Sequence, residues 1–140
     1  MNLRSSTLPV AMTSVLMLVG GLIHQAGAWI QKDVTIEKND DTAAIECSGN
    51  SVVVRGDDNK LTIKGECNRL TVSGDDNVIS ATTAQEVEVT GSDNTITVGT
   101  VGRISTTGDD NKIKWTRGVS GKAPVVSLKG NDNKIDQAGK

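Results

Sequence analysis

Apolar and polar residues alternate along most of the chain in short bursts, and each burst halts at a turn rich in glycine, aspartate and asparagine. Gly56-Asp57-Asp58-Asn59-Lys60 leads into Leu61-Thr62-Ile63, and the same order returns at Gly74-Asp75-Asp76-Asn77-Val78-Ile79 and Gly91-Ser92-Asp93-Asn94-Thr95-Ile96. It returns twice more, at Gly108-Asp109-Asp110-Asn111-Lys112-Ile113 and Gly130-Asn131-Asp132-Asn133-Lys134-Ile135. Gaps of 18, 17, 17 and 22 residues separate the leading glycines. A second alternating burst sits in each gap: Val52-Val53-Val54, Leu70-Thr71-Val72, Val87-Glu88-Val89, Ile104-Ser105-Thr106 and Val126-Ser127-Leu128. Alternation at a period of two is the mark of a half-buried strand, and a fixed longer period is the mark of stacked repeats.

Helix competes poorly, because the apolar residues do not fall at helical spacing, β-branched residues dominate and glycine interrupts every turn. Hairpin sandwiches use similar turns, but their strands are not near-copies of one another at one period. The pattern therefore predicts an all-β fold: a two-sided parallel β-solenoid of five to six coils, each of about 17–18 residues. Its inward pairs are Leu61/Ile63, Ile79/Ala81, Ile96/Val98 and Ile113/Trp115 on one side. On the other they are Val52/Val54, Leu70/Val72, Val87/Val89, Ile104/Thr106 and Val126/Leu128. These columns stack about 4.8 Å apart and close a thin core with little room for rings. Trp115, inward and late in the stack, then widens the core or plugs its end, and Trp29 is the equivalent at the other end. Asn39-Asp40-Asp41-Thr42-Ala43-Ala44-Ile45 reads as a degenerate first copy, as terminal repeats often are. Asn59, Asn77, Asn94, Asn111 and Asn133 form a turn ladder whose amides hydrogen-bond up the stack, with left-handed backbone at the turn. The second turn of each coil is more variable: Lys64-Gly65-Glu66-Cys67-Asn68, Thr82-Thr83-Ala84-Gln85 and Gly99-Thr100-Val101-Gly102.

The first 28 residues stand apart from this pattern. Arg4 precedes an apolar run, Val10 to Ile23, and Ala26-Gly27-Ala28 offers a small-residue cleavage site, the build of a secretory signal peptide. The expected division is a signal peptide at 1–28 and a solenoid domain at 29–140, exported to the bacterial periplasm or beyond, with no membrane insertion after cleavage. Export also suits the two cysteines, Cys47 and Cys67, as a disulfide joining successive coils.

The repeated Gly-Asp-Asp-Asn-x-Ile unit, behind a signal peptide and with a Cys pair in the early coils, resembles the bacterial family called domain of unknown function 3060, over roughly residues 50–137. The resemblance implies an exported repeat protein. It implies no activity, so it transfers no functional residue.

Composition narrows the chemistry further. His24 and all three methionines fall within the first 28 residues, and the chain has no Phe or Tyr. Fifteen Lys and Arg, one of them Arg4, against seventeen acids leave the domain at minus three. An acidic domain without a basic stripe or aromatic platforms does not read as a nucleic-acid binder. Without histidine there is no Ser-His or Cys-His pair and no imidazole ligand, and carboxylates that recur in every coil suit a scaffold better than an acid–base pair. The expectation is a monomeric non-enzyme, structural or surface-presenting, with no cofactor.

Two alternatives carry more specific chemistry. Asp58, Asp76, Asp93, Asp110 and Asp132 form a carboxylate column that a calcium-binding β-roll would use for Ca²⁺, although only one turn per coil is acidic and Lys60, Lys112 and Lys134 follow it. The other alternative is an immunity-type binding module for a periplasmic or secreted protein. Its contact loop would be the insertion Thr116–Pro124, which breaks the period and carries Arg117 and Lys122.

Overall fold

The computed structural model describes residues 32–139, so the signal peptide at 1–28 and Trp29 as an end plug lie outside the described residues. The chain order is β1 (Val34–Ile36), β2 (Thr42–Ser48), β3 (Val52–Arg55), β4 (Lys60–Ser73), β5 (Val78–Thr90), β6 (Thr95–Thr107), β7 (Lys112–Gly118), β8 (Val125–Lys129) and β9 (Lys134–Gln137). A short 3-10 turn, Val119–Gly121, lies between β7 and β8. Every pairing is parallel. One column runs Val34, Val52, Leu70, Val87, Ile104, Val126, and the opposing one runs Ala43, Leu61, Ile79, Ile96, Ile113, Ile135. Six positions per column make this a β-solenoid of six coils, and the first coil is the degenerate copy around Asn39-Asp40-Asp41.

Alternation decides which residues reach the core. Leu61 and Ile63, Ile79 and Ala81, and Ile96 and Val98 are buried, as are Val52 and Val54, Leu70 and Val72, Val87 and Val89, and Ile104 and Thr106. The residues between them on the first side, Thr62, Ser80, Thr97 and Lys114, are exposed. Burying branched aliphatics in ladders of like residues contributes about 1.5–3 kcal/mol per side chain, and this is the main source of stability.

Three features differ from the expected register. The variable stretches at 64–68, 82–85 and 99–102 are not breaks between strands, because β4, β5 and β6 run unbroken round that bend. They carry an inward column of their own, with Cys67, Ala84 and Val101 all buried. Second, Val126 and Leu128 keep the inward register of Ile104 and Thr106 but are 44% and 49% exposed, because no described coil lies over them. Third, Trp115 does not plug the end. It is half-buried against the core, and Gln137 of the last coil sits beyond it.

The cysteines form the expected disulfide, with Cα atoms 5.1 Å apart. Their separation of 20 residues is reconciled by local register. Cys47 lies opposite Gly65, a bulge falls between Ile63 and Glu66, and Cys67 returns to the inward column beside it. Gly65 takes φ +83°, and a Cβ there would stand 2.1 Å from the Cys47 carbonyl oxygen. Only glycine fits that crossing.

Candidate functional site

Two regions carry the candidate residues: the acidic turn column and the insertion in the fifth coil. In the acidic turn, the strand ends at a glycine with φ between +111° and +138°, reached at Gly56, Gly74, Gly91, Gly108 and Gly130. The next residue is Asp57, Asp75, Ser92, Asp109 or Asn131, and the one after it is left-handed. That left-handed residue is Asp58, Asp76, Asp93, Asp110 or Asp132, with φ from 52° to 59°. The aspartate therefore takes the conformation expected of the asparagine, at a position where short polar side chains tolerate αL. The reversal swings the following asparagine inward.

Asn59, Asn77, Asn94 and Asn111 are completely buried. Each makes several bonds. Asn77 Nδ2 donates to Asn94 Oδ1 at 3.1 Å and to the Gly56 carbonyl at 2.9 Å, while its backbone N–H donates to the same Asn94 Oδ1 at 3.1 Å. Asn94 repeats this with Asn111 and Gly74, and Asn111 with Asn133 and Gly91. Asn133 closes the ladder on the Gly108 carbonyl at 2.6 Å. Fully paired buried amides of this kind fix one register, since a slip would strand them without partners. At the bottom the ladder is incomplete: Asn59 Nδ2 is buried without a partner, in the coil where Lys38 replaces the glycine of the preceding turn.

The first acidic residue of each turn works outside the ladder. Asp57 Oδ1 accepts the Asp75 N–H at 2.9 Å, Asp75 Oδ1 accepts the Ser92 N–H at 2.7 Å, and Asp109 Oδ1 accepts the Asn131 N–H at 2.7 Å. The carboxylates assigned to calcium, Asp58, Asp76, Asp93, Asp110 and Asp132, are exposed at one per coil. Among the described residues no group of three or more His, Cys, Asp or Glu stands close enough to hold a metal ion.

The insertion breaks the repetition in the fifth coil. Gly118 keeps register with Val101, and Val125 rejoins beside Arg103, so the extra residues lie between them. The excursion folds back tightly: the Lys122 N–H donates to the Val119 carbonyl at 3.4 Å, and Ser120 is left-handed. Beside it lies an open groove of about 520 Å³ lined by Trp115, Thr116, Arg117, Lys122, Gln137 and Thr100, among others. Arg117 and Lys122, the expected contact residues, both line it, both are exposed, and neither forms an ion pair among the described residues. Among the described residues no acid lines the groove, although the chain carries more acids than bases. Trp115 supplies the only aromatic ring among the described residues.

Thr100 and Gln137 did not stand out in the sequence. Register would have found them, since Thr100 pairs with Arg117 and Gln137 with Trp115. A second groove, of about 580 Å³, crosses the outer face at Asn68, Arg69, Gln85, Glu86 and Arg103, where Arg69 and Glu86 form an ion pair. No helix among the described residues is long and apolar enough to cross a membrane.

No curated protein matches the chain, and no solved structure matches it. A family model does, over residues 54–99 and 83–131, which together cover the four acidic turns that begin at Gly56, Gly74, Gly91 and Gly108 and end at the start of the fifth. With that span matched and the repeat geometry on which it rests, the chain belongs to the family described as protein of unknown function (DUF3060).

Proposed function

We propose that this protein is an exported, non-enzymatic scaffold that holds a recognition surface rigid for a protein partner in the periplasm or outside the cell. The observation that carries the reading is the contrast between the repeated surface and the insertion groove. Elsewhere polar side chains recur coil by coil, whereas at the groove an aromatic ring, two cations without an ion-pair partner among the described residues and three amide or hydroxyl side chains, Thr100, Thr116 and Gln137, meet with no described acid among them. Exposed cations without ion-pair partners suit an acidic counterpart, and a half-buried tryptophan offers rigid contact area at little entropic cost. The intact disulfide fits an oxidising compartment. Catalysis finds little support: both cysteines are paired, and no histidine lies between residues 32 and 139.

The test is capture from periplasmic extract of the producing cells by the purified protein and by an Arg117→Glu/Lys122→Glu double variant. Both substituted positions are exposed, so the melting temperature should stay within a degree or two. The expected result is a partner retained by the wild type and lost from the double variant, more strongly at low salt. Identical retention by both proteins would remove the groove from the proposal.

A further inference from the structure

The two ends of the stack finish the core differently. In the first coil, Ile36 and Ile45 are only 3% and 2% exposed. In the last coil, Val126 and Leu128 are 44% and 49% exposed although both keep the inward register, and Ile135 beside them is half-buried. Scattered exposed aliphatics are ordinary, but here they share one face with the free edges of β8 and β9. Neither strand carries an inward charge or a proline, the usual blocks to further pairing. The expectation of a monomer rested on capped ends, and the C-terminal end is open.

Because the first coil is closed, this face can match only the same face of a second copy. Such a contact is isologous, lies about a two-fold axis perpendicular to the stack, and stops at two chains. The axis has two possible directions. Along the strands, it lays β8 on the second copy's β9 and one acidic turn on the other, so Asp132 meets Asp132 and Lys129 meets Lys134. Like charges disfavour that choice. From one sheet to the other, it lays each edge antiparallel on its own copy.

Leu128 stands two residues before Gly130 and Ile135 two after Asn133, so the second axis passes through both. Leu128 then meets Leu128, Ile135 meets Ile135, and the flanking pairs follow by counting. Lys134 falls opposite the second copy's Asp136, both outward and exposed, and the symmetry makes this pair twice. Asn133 falls opposite the second copy's Gln137, both inward. That match supplies a partner the last coil lacks. Asn111 N–H donates to Asn133 Oδ1, but the Asn133 N–H has no acceptor among the described residues. Gln137 donates through Nε2 to the Thr116 carbonyl at 3.2 Å, which leaves its Oε1 to accept. Apolar pairs, opposite charges and paired amides coincide in this one register. We infer that the C-terminal end of the solenoid is a homodimer interface, in which β8 and β9 pair antiparallel with the same strands of a second copy and the two cores become continuous. This goes beyond the groove reading and does not rest on it.

The experiment follows mass by sedimentation of the protein as recovered after export, from micromolar to millimolar concentration, with Arg117 and Lys122 unchanged throughout. The wild type should rise from one chain to two and stay there. Asp136→Lys sets lysine against lysine across the axis and should weaken the dimer about tenfold, the loss of two cross-strand ion pairs. Adding Lys134→Asp restores opposite charges in exchanged places and should return the dimer close to wild-type strength. Leu128→Lys puts two charges on the axis and should leave monomers. All three positions are exposed, and unchanged far-ultraviolet circular dichroism verifies that each variant is folded. A wild type that stays at one chain or grows beyond two would overturn the inference. A Leu128→Lys dimer as tight as wild type, or a charge-exchanged variant no tighter than Asp136→Lys alone, would overturn it equally.

Discussion

The acidic bend and the bend opposite it reverse the same chain in the same coils by different means. At the acidic bend the backbone leaves the strand through a positive-φ glycine and a left-handed aspartate, and a fully buried asparagine fills the gap with its own hydrogen bonds. At the opposite bend the strand pairing continues, and small buried residues such as Ala84 and Val101 occupy the inside. The first solution is rigid in length. From Gly56 to Gly130, the spacing from glycine to asparagine is three residues in every copy. The second tolerates change: it absorbs a bulge in β4 beside the disulfide and the excursion between Gly118 and Val125 in the fifth coil. A bend built on a polar side-chain column cannot lose register without burying unpaired amides, whereas a backbone ladder with apolar filling can extrude a loop. The insertion groove accordingly sits on the tolerant bend.

The largest expected effect tests the inward columns that both bends share. Ile96→Asp places a carboxylate in a fully buried ladder and should cost about 5 kcal/mol or more, the whole stability of many small domains. Its neighbour Thr97 is exposed, and Thr97→Asp should shift stability by no more than about 0.5 kcal/mol. Urea unfolding of the two variants reads the difference directly, and equal losses would refute the register.

Within the ladder, the expected costs differ with hydrogen bonding. Asn94→Ala leaves the Asn77 N–H, the Asn77 amide and the Gly74 carbonyl each short of a buried partner, and should cost about 4 kcal/mol. Asn59→Ala should cost less, about 2 kcal/mol, because Asn59 Nδ2 already lacks a partner and its Oδ1 serves only the Asp41 N–H. Thermal melts of both variants check the order; a larger loss at Asn59 would mean that the ladder is not the source of rigidity.

At the opposite bend the tie is covalent. Replacing both Cys47 and Cys67 by alanine should cost about 3 kcal/mol, as a loop of this size does in the chain-entropy account, plus the packing of two buried sulfurs. Protein that melts alike with and without reductant would contradict this.

Much of this arrangement was legible in the sequence because alternation and period depend on neighbouring residues alone. The inward pairs from Val52 to Ile113, the asparagine ladder and the disulfide all follow from counting along the repeat. What could not be counted was set by the third dimension. Which of Asp58 and Asn59 turns left-handed depends on which side chain the core can pair, and two adjacent polar residues look alike until the stack above them exists. Thr82 to Gln85 read as a turn for its polar composition, yet only Ala84 needs to face inward for the strand to pass through. Val126 and Leu128 carry the inward pattern, but burial also needs a coil beyond them. Trp115 and Arg117 were visible, while Thr100 and Gln137 join them only through register.

One measurement sets the two bends against each other within a single coil. A glycine inserted between Ser92 and Asp93 lengthens the acidic bend, and a glycine inserted between Gly99 and Thr100 lengthens the opposite one. The ladder account predicts that the first insertion unfolds the protein or costs several kcal/mol, since Asn94 leaves its buried partners on both sides. It predicts that the second costs about 1 kcal/mol, the order of a small increase in loop entropy and local strain. Equal unfolding midpoints for the two insertions, or a greater loss from the second, would contradict the claim that the buried asparagine column holds the register of the solenoid.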